Sequence, residues 1–69
     1  MRLSARNQLA ATVQGVNRGE AIANVILDCN GQRLVASITK EAADELGLAE
    51  GRQVTVIVKA SDVMIAVDD

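Results

Sequence analysis

Sixty-nine residues make one small domain, a size at which burying enough surface is difficult. The usual reinforcements are missing: the single cysteine, Cys29, excludes an intrachain disulfide, the lack of histidine disfavours a zinc site, and without Phe, Tyr or Trp the core must come from Val, Ile, Leu, Ala and Met. A formal net charge of −2 argues against a nucleic-acid binder that works by neutralising phosphates.

The chain is nevertheless rich in apolar residues, at 49%, with a positive mean hydropathy. The simplest resolution is a second apolar surface buried between subunits, with oligomerisation contributing to stability. No apolar run approaches the ~20 residues of a membrane helix, and the N-terminus lacks the apolar core of a signal peptide. The expected setting is therefore soluble and cytoplasmic, with no membrane partner.

The chain opens on Ser4-Ala5-Arg6-Asn7-Gln8-Leu9, where a hydroxyl, a guanidinium fork and successive backbone N–H groups can surround a small anion with donors. Leu9-Ala10-Ala11-Thr12-Val13 reads as a strand with Leu9, Ala11 and Val13 on one face, and the phase slips at Gly15-Val16, which predicts a bulge. After a turn at Asn17-Arg18-Gly19-Glu20, the run Ala21–Cys29 places Ala21, Ala23, Val25, Leu27 and Cys29 on one face, with Cys29 read as a small buried hydrophobe. Asn30-Gly31 is the strongest hairpin signal, since both residues tolerate the positive φ of a type I′ turn. It leads into a third strand, Gln32 to Thr39, in which Ser37 and Thr39 share a face.

Residues 40–47 switch to helical periodicity, with Thr39 as N-cap, Ala42, Ala43 and Leu46 as an apolar stripe, and Gly47 as the stop. Arg52–Lys59 is a β-branched strand. Lys59-Ala60-Ser61 forms the second polar cluster, and Val63–Val67 reads as a last strand, apolar on both faces. The expected architecture is all-β with one short helix: a five-stranded OB-fold-like β-barrel, oligomeric, its strand edges hidden by closure.

Nothing here supports catalysis. There is no histidine, Cys29 sits within a strand pattern, and Asp44, Glu45 and Glu50 belong to the solvated side of a short helix or its exit.

Four segments, Ser4–Leu9, Ser37-Ile38-Thr39, Glu45-Leu46-Gly47-Leu48 with Glu50-Gly51, and Val58-Lys59-Ala60-Ser61, resemble the Mop (molbindin) family of small molybdate- and tungstate-binding proteins. The first and last are the specific ones. The resemblance covers residues 1–69 as a single Mop domain and implies an oxyanion site with Ser4, Ala5 and Arg6 on one wall and Lys59, Ala60 and Ser61 on the adjoining wall, some of them acting through backbone N–H. It also implies a hydroxyl from the neighbouring subunit, which falls on Thr39. A second family hydroxyl falls on Ala42, where this chain has none. Members with this domain alone form hexamers, trimers of dimers, with oxyanions at the subunit interfaces. The implied ligand is molybdate or tungstate, bound as an oxyanion rather than as a metal ion and without an organic cofactor, for storage and homeostasis of molybdenum. The same domain ends molybdate-responsive regulators and transporter ATPases; a chain running from Met1 to residue 69 favours the stand-alone form.

Molybdate and tungstate are fully deprotonated tetrahedral dianions at neutral pH, so a site built of donors suits them. Hydrogen phosphate carries a proton that such a site leaves unpaired. Sulfate differs chiefly in size.

Each residue also has a plainer reading. Arg6 is a surface charge before a strand, Lys59 blunts a sheet edge, Ser61-Asp62 are turn residues, Thr39 caps a helix, and Asn7 closes a local turn. The rival function is a regulator of the AbrB swapped-hairpin type, which Leu34–Lys59 also resembles. That class needs a basic DNA-binding surface, and here seven basic residues are scattered among nine acidic ones.

Overall fold

The computed structural model describes all 69 residues. Strands β1 (Asn7–Arg18), β2 (Ile22–Cys29) and β3 (Gln32–Thr39) are followed by helix α1 (Lys40–Glu45), strand β4 (Gln53–Val58) and a 3₁₀ turn over Ala60–Asp62. The strands form one antiparallel sheet in the order β3-β2-β1-β4.

β1 organises the sheet because it serves two neighbours in succession. Asn7 to Thr12 pair with β4, in register Asn7↔Val58 through Thr12↔Gln53, while Thr12 to Arg18 pair with β2. The register shifts between Val13 and Gly15, the bulge expected from the slip in hydrophobic phase. The extra residue lets the strand bend from one partner to the other while Ala11 and Val13 stay on the covered face. β2 and β3 form the expected hairpin, with Asn30 at φ 51° and Gly31 at φ 90°, both in the left-handed region that a type I′ turn requires. The Asp28 carboxylate accepts a hydrogen bond from the Gly31 N–H at 3.1 Å and braces the turn.

The core is small: Ala11, Val13, Ala23, Val25, Leu27, Ala43 and Leu48 are the only buried residues. α1 drops Ala43 onto the sheet. Thr39 caps it, its Oγ1 accepting from the Ala42 N–H at 3.0 Å, and Gly47 at φ 63° ends it. Arg18 secures the helix from the far end of β1, donating from Nε to Asp44 Oδ1 at 3.1 Å and from Nη2 to the Leu48 carbonyl at 3.0 Å.

Two expectations are corrected. Leu46, placed on the helix's apolar stripe, is 59% exposed, and Leu48 is buried in its stead, because the helix ends at Glu45 and the chain turns there. Cys29 is half-buried at the end of β2 and packs against the core from its edge. The expected five strands are not all found in one chain's sheet. The sheet is open and has four strands: Val63–Val67 forms no ladder, and its side chains stand in solvent, with Met64 93% and Ile65 90% exposed. The segment is apolar enough for a strand, but no edge of this chain's own sheet pairs with it. An apolar cleft lies on the inner face of the sheet, lined among others by Val13 and Val25 and, from the two edge strands, by Ile38 of β3 and Val54 and Val56 of β4.

Candidate functional site

The β1–β4 ladder ends at the pair Asn7↔Val58, and the residues just beyond it on each side are Arg6 and Lys59. Two like charges leaving an antiparallel pair side by side repel, and neither finds a carboxylate partner, since the chain's one ion pair is Arg18–Asp44. Here the two segments part and line an open groove made of Ser4, Ala5 and Arg6 on one side and Lys59, Ala60 and Ser61 on the other, with Ile57 and Asp62 completing it. Segments from the two ends of the chain thus meet because β4 lies beside β1.

The groove is rich in donors. Ser4, Arg6, Lys59 and Ser61 contribute side chains, and the backbone N–H groups of Ser4, Ala5, Arg6 and Lys59 donate to no acceptor within the chain. The 3₁₀ turn shapes the second wall, with the Asp62 N–H donating to the Lys59 carbonyl at 2.9 Å and the Val63 N–H to the Ala60 carbonyl at 3.2 Å.

Six of the seven expected site residues therefore share one groove, and Thr39 does not. It lies in a separate concavity with Glu20, Ala21, Lys40, Glu41, Asp44 and Glu45, in which Asp44 is already paired with Arg18. Its oxygen accepts the helix-capping bond while its hydroxyl proton stays free to donate outward. Ala42, one turn into the helix, brings no donor. Sequence reasoning also missed two lining residues. Ile57 is readable as the outward neighbour of Lys59 on the same strand face. Asp62 reads in the sequence as a turn residue, and its carboxylate qualifies the idea of a donors-only site: one acceptor stands among the lining donors.

The chain belongs to the TOBE-domain family, whose model matches residues 3–65. Within that family it is of the Mop, or molbindin, type. It is 41% identical over 66 residues to molybdenum-pterin-binding protein 2 of Clostridium pasteurianum, covering 94% of this chain and 97% of that one. The solved structure of a molybdate-binding protein from Sporomusa ovata superposes with a TM-score of 0.92 at 38% identity, over 96% of this chain and 98% of the other. The cytoplasmic molybdate-binding protein ModG, solved with molybdate bound, matches with a TM-score of 0.84 at 39% identity, over 87% of this chain and 43% of that chain.

Proposed function

We propose that this protein binds molybdate or tungstate reversibly as the intact oxyanion, in the groove between Ser4-Ala5-Arg6 and Lys59-Ala60-Ser61, and keeps it in store for molybdenum-dependent chemistry in the cytoplasm without catalysing a reaction. The observation that carries this reading is the meeting, just past the end of one ladder, of four donor side chains and four backbone N–H groups with no partner in the chain. Charge-assisted hydrogen bonds from Arg6 and Lys59 supply most of the attraction, and the neutral donors fix the tetrahedral geometry. A relative's name couples molybdenum to a pterin. A free oxyanion suits this groove better, because a chain without Phe, Tyr or Trp has no ring on which to stack a pterin.

The same reading makes the protein a homo-oligomer, a hexamer built as a trimer of dimers. In this arrangement Val63–Val67 of one copy adds a strand along the cleft between β3 and β4 of another, which closes the five-stranded barrel and covers the exposed apolar side chains. Thr39 from a neighbouring subunit then brings its free hydroxyl proton to the groove, so each site takes donors from two chains. DNA binding finds no comparable support: the seven basic residues stand among nine acidic ones and supply no excess of positive charge for a phosphate backbone.

Native mass spectrometry with molybdate, sulfate and phosphate tests both halves of the reading. The expected result is one discrete oligomer that gains molybdate and not sulfate. An oligomer indifferent to all three ions would sink the oxyanion reading. Arg6→Ala and Lys59→Ala should each weaken molybdate binding by about 10- to 100-fold, the range for losing a charged hydrogen bond, with oligomer and fold retained.

A further inference from the structure

We propose that Asn7 and Gln8 are positioning residues of the groove: their side-chain amides hold its two walls at a set separation, and that separation favours a large tetrahedral dianion over a smaller one. The inference rests on the oxyanion reading above and adds the basis of its size selectivity.

Past Asn7↔Val58 no backbone hydrogen bond joins Ser4-Ala5-Arg6 to Lys59-Ala60-Ser61, and Arg6 and Lys59 carry like charges that give the walls no attraction of their own. Two adjacent amides stand where the ladder stops. Asn7 Nδ2 donates to the Val58 carbonyl at 3.1 Å, across 51 positions of sequence, and so holds the strand end that carries Lys59. Gln8 Nε2 donates to the Ala5 carbonyl at 3.2 Å and folds the N-terminal wall back onto the same strand. One side chain thus anchors each wall, both from neighbouring positions of β1. Asn7 is half-buried while Arg6 and Gln8 on either side are exposed, so its bond is the better shielded of the two.

Walls held at a fixed spacing discriminate by size, because donors set to reach a larger ion cannot all close on a smaller one. Walls free to move adapt to either. Molybdate and sulfate carry the same charge and the same shape, so charge and hydrogen-bond type cannot separate them, whereas a fixed gap can. Neither amide is among the residues lining the groove, so both act through the backbone they hold.

The test is calorimetric titration of the full chain with molybdate and, separately, with sulfate, for the parent, Asn7→Ala, Gln8→Ala and Gln14→Ala. Gln14 is an exposed amide on the same strand, away from the groove, and serves as control. Asn7→Ala should lose about five-fold in molybdate affinity, the scale of one hydrogen bond, with sulfate affinity unchanged or raised, so that the molybdate-to-sulfate ratio falls. Gln8→Ala should move the ratio the same way by less, and Gln14→Ala should leave it alone. A parent that takes up no molybdate overturns the oxyanion reading itself. A parent that binds molybdate, with Asn7→Ala and Gln8→Ala keeping its ratio even at lower thermal stability, overturns the positioning role alone. If Asn7→Ala fails to fold, Gln8→Ala decides the matter, since the exposed Gln8 side chain leaves the core untouched.

Discussion

β2 and the C-terminal segment Val63–Val67 are both short apolar runs, and their fates are opposite. In β2, Ala23, Val25 and Leu27 are 0%, 2% and 4% exposed, because β1 and β3 flank the strand and α1 packs against the same inner face. In the tail, Met64, Ile65 and Val67 stand open with no strand on either side. Hydropathy thus identifies a surface that must be covered without saying which chain covers it. For β2 the cover lies a hairpin away; for the tail we propose that it lies in another copy.

The sharpest way to break this contrast is to delete residues 63–69. Loss of several exposed large hydrophobics from an interface should leave a monomer by sedimentation, with Tm lower by roughly 10 °C or more. A truncated chain that still assembles would refute the tail's role. Next in size, Val25→Ala should cost about 2 kcal/mol in urea denaturation, from lost burial and a residual cavity. Its effect should not depend on protein concentration, whereas that of Ile65→Asp should, because only the latter acts through association.

Smaller effects sharpen the comparison at the edges of the hairpin and the helix. Gly31→Ala forces a side chain into positive φ and should cost about 1 kcal/mol, seen as a lower urea midpoint with m unchanged. Thr39→Ala should lose about 1 kcal/mol with its cap, and under the oxyanion reading it also weakens molybdate binding, while Thr39→Ser keeps both. Smallest of all, Asp62→Asn removes a carboxylate from the groove lining and should raise molybdate affinity about two- to five-fold at low salt, with the gain shrinking as salt is added.

Local structure was readable wherever the cause is local. Asn30-Gly31 can supply two positive φ values in succession, the phase slip at Gly15 is the trace of a bulge, and Thr39 followed by Lys40-Glu41-Ala42 is a helix start. The burial of Leu48 in place of Leu46 was not readable, because it depends on where the chain turns after a six-residue helix. The partner of the last apolar run was not readable for a deeper reason: strand pairing depends on which edges meet, and no periodicity in Val63–Val67 names its partner. For the candidate site, the motif residues Ser4, Arg6, Lys59 and Ser61 stood out by type. The ties from Asn7 and Gln8 did not, since the carbonyls they reach leave no mark in sequence.

The register of β1 also dictates the order in which the molecule is assembled. The β2–β3 hairpin closes over a two-residue turn and can form within microseconds, whereas Asn7 must find a carbonyl 51 positions away. The entropy of closing that long loop places the β1–β4 junction late in folding, and its position at a sheet edge, among exposed residues, makes it an early place to open in the native state. Within the sheet, amide exchange should therefore be faster at the β1–β4 junction beside Arg6 and Lys59 than at Val25. An oxyanion seated there would act as a clasp on the last seam to close, joining the two ends of the chain.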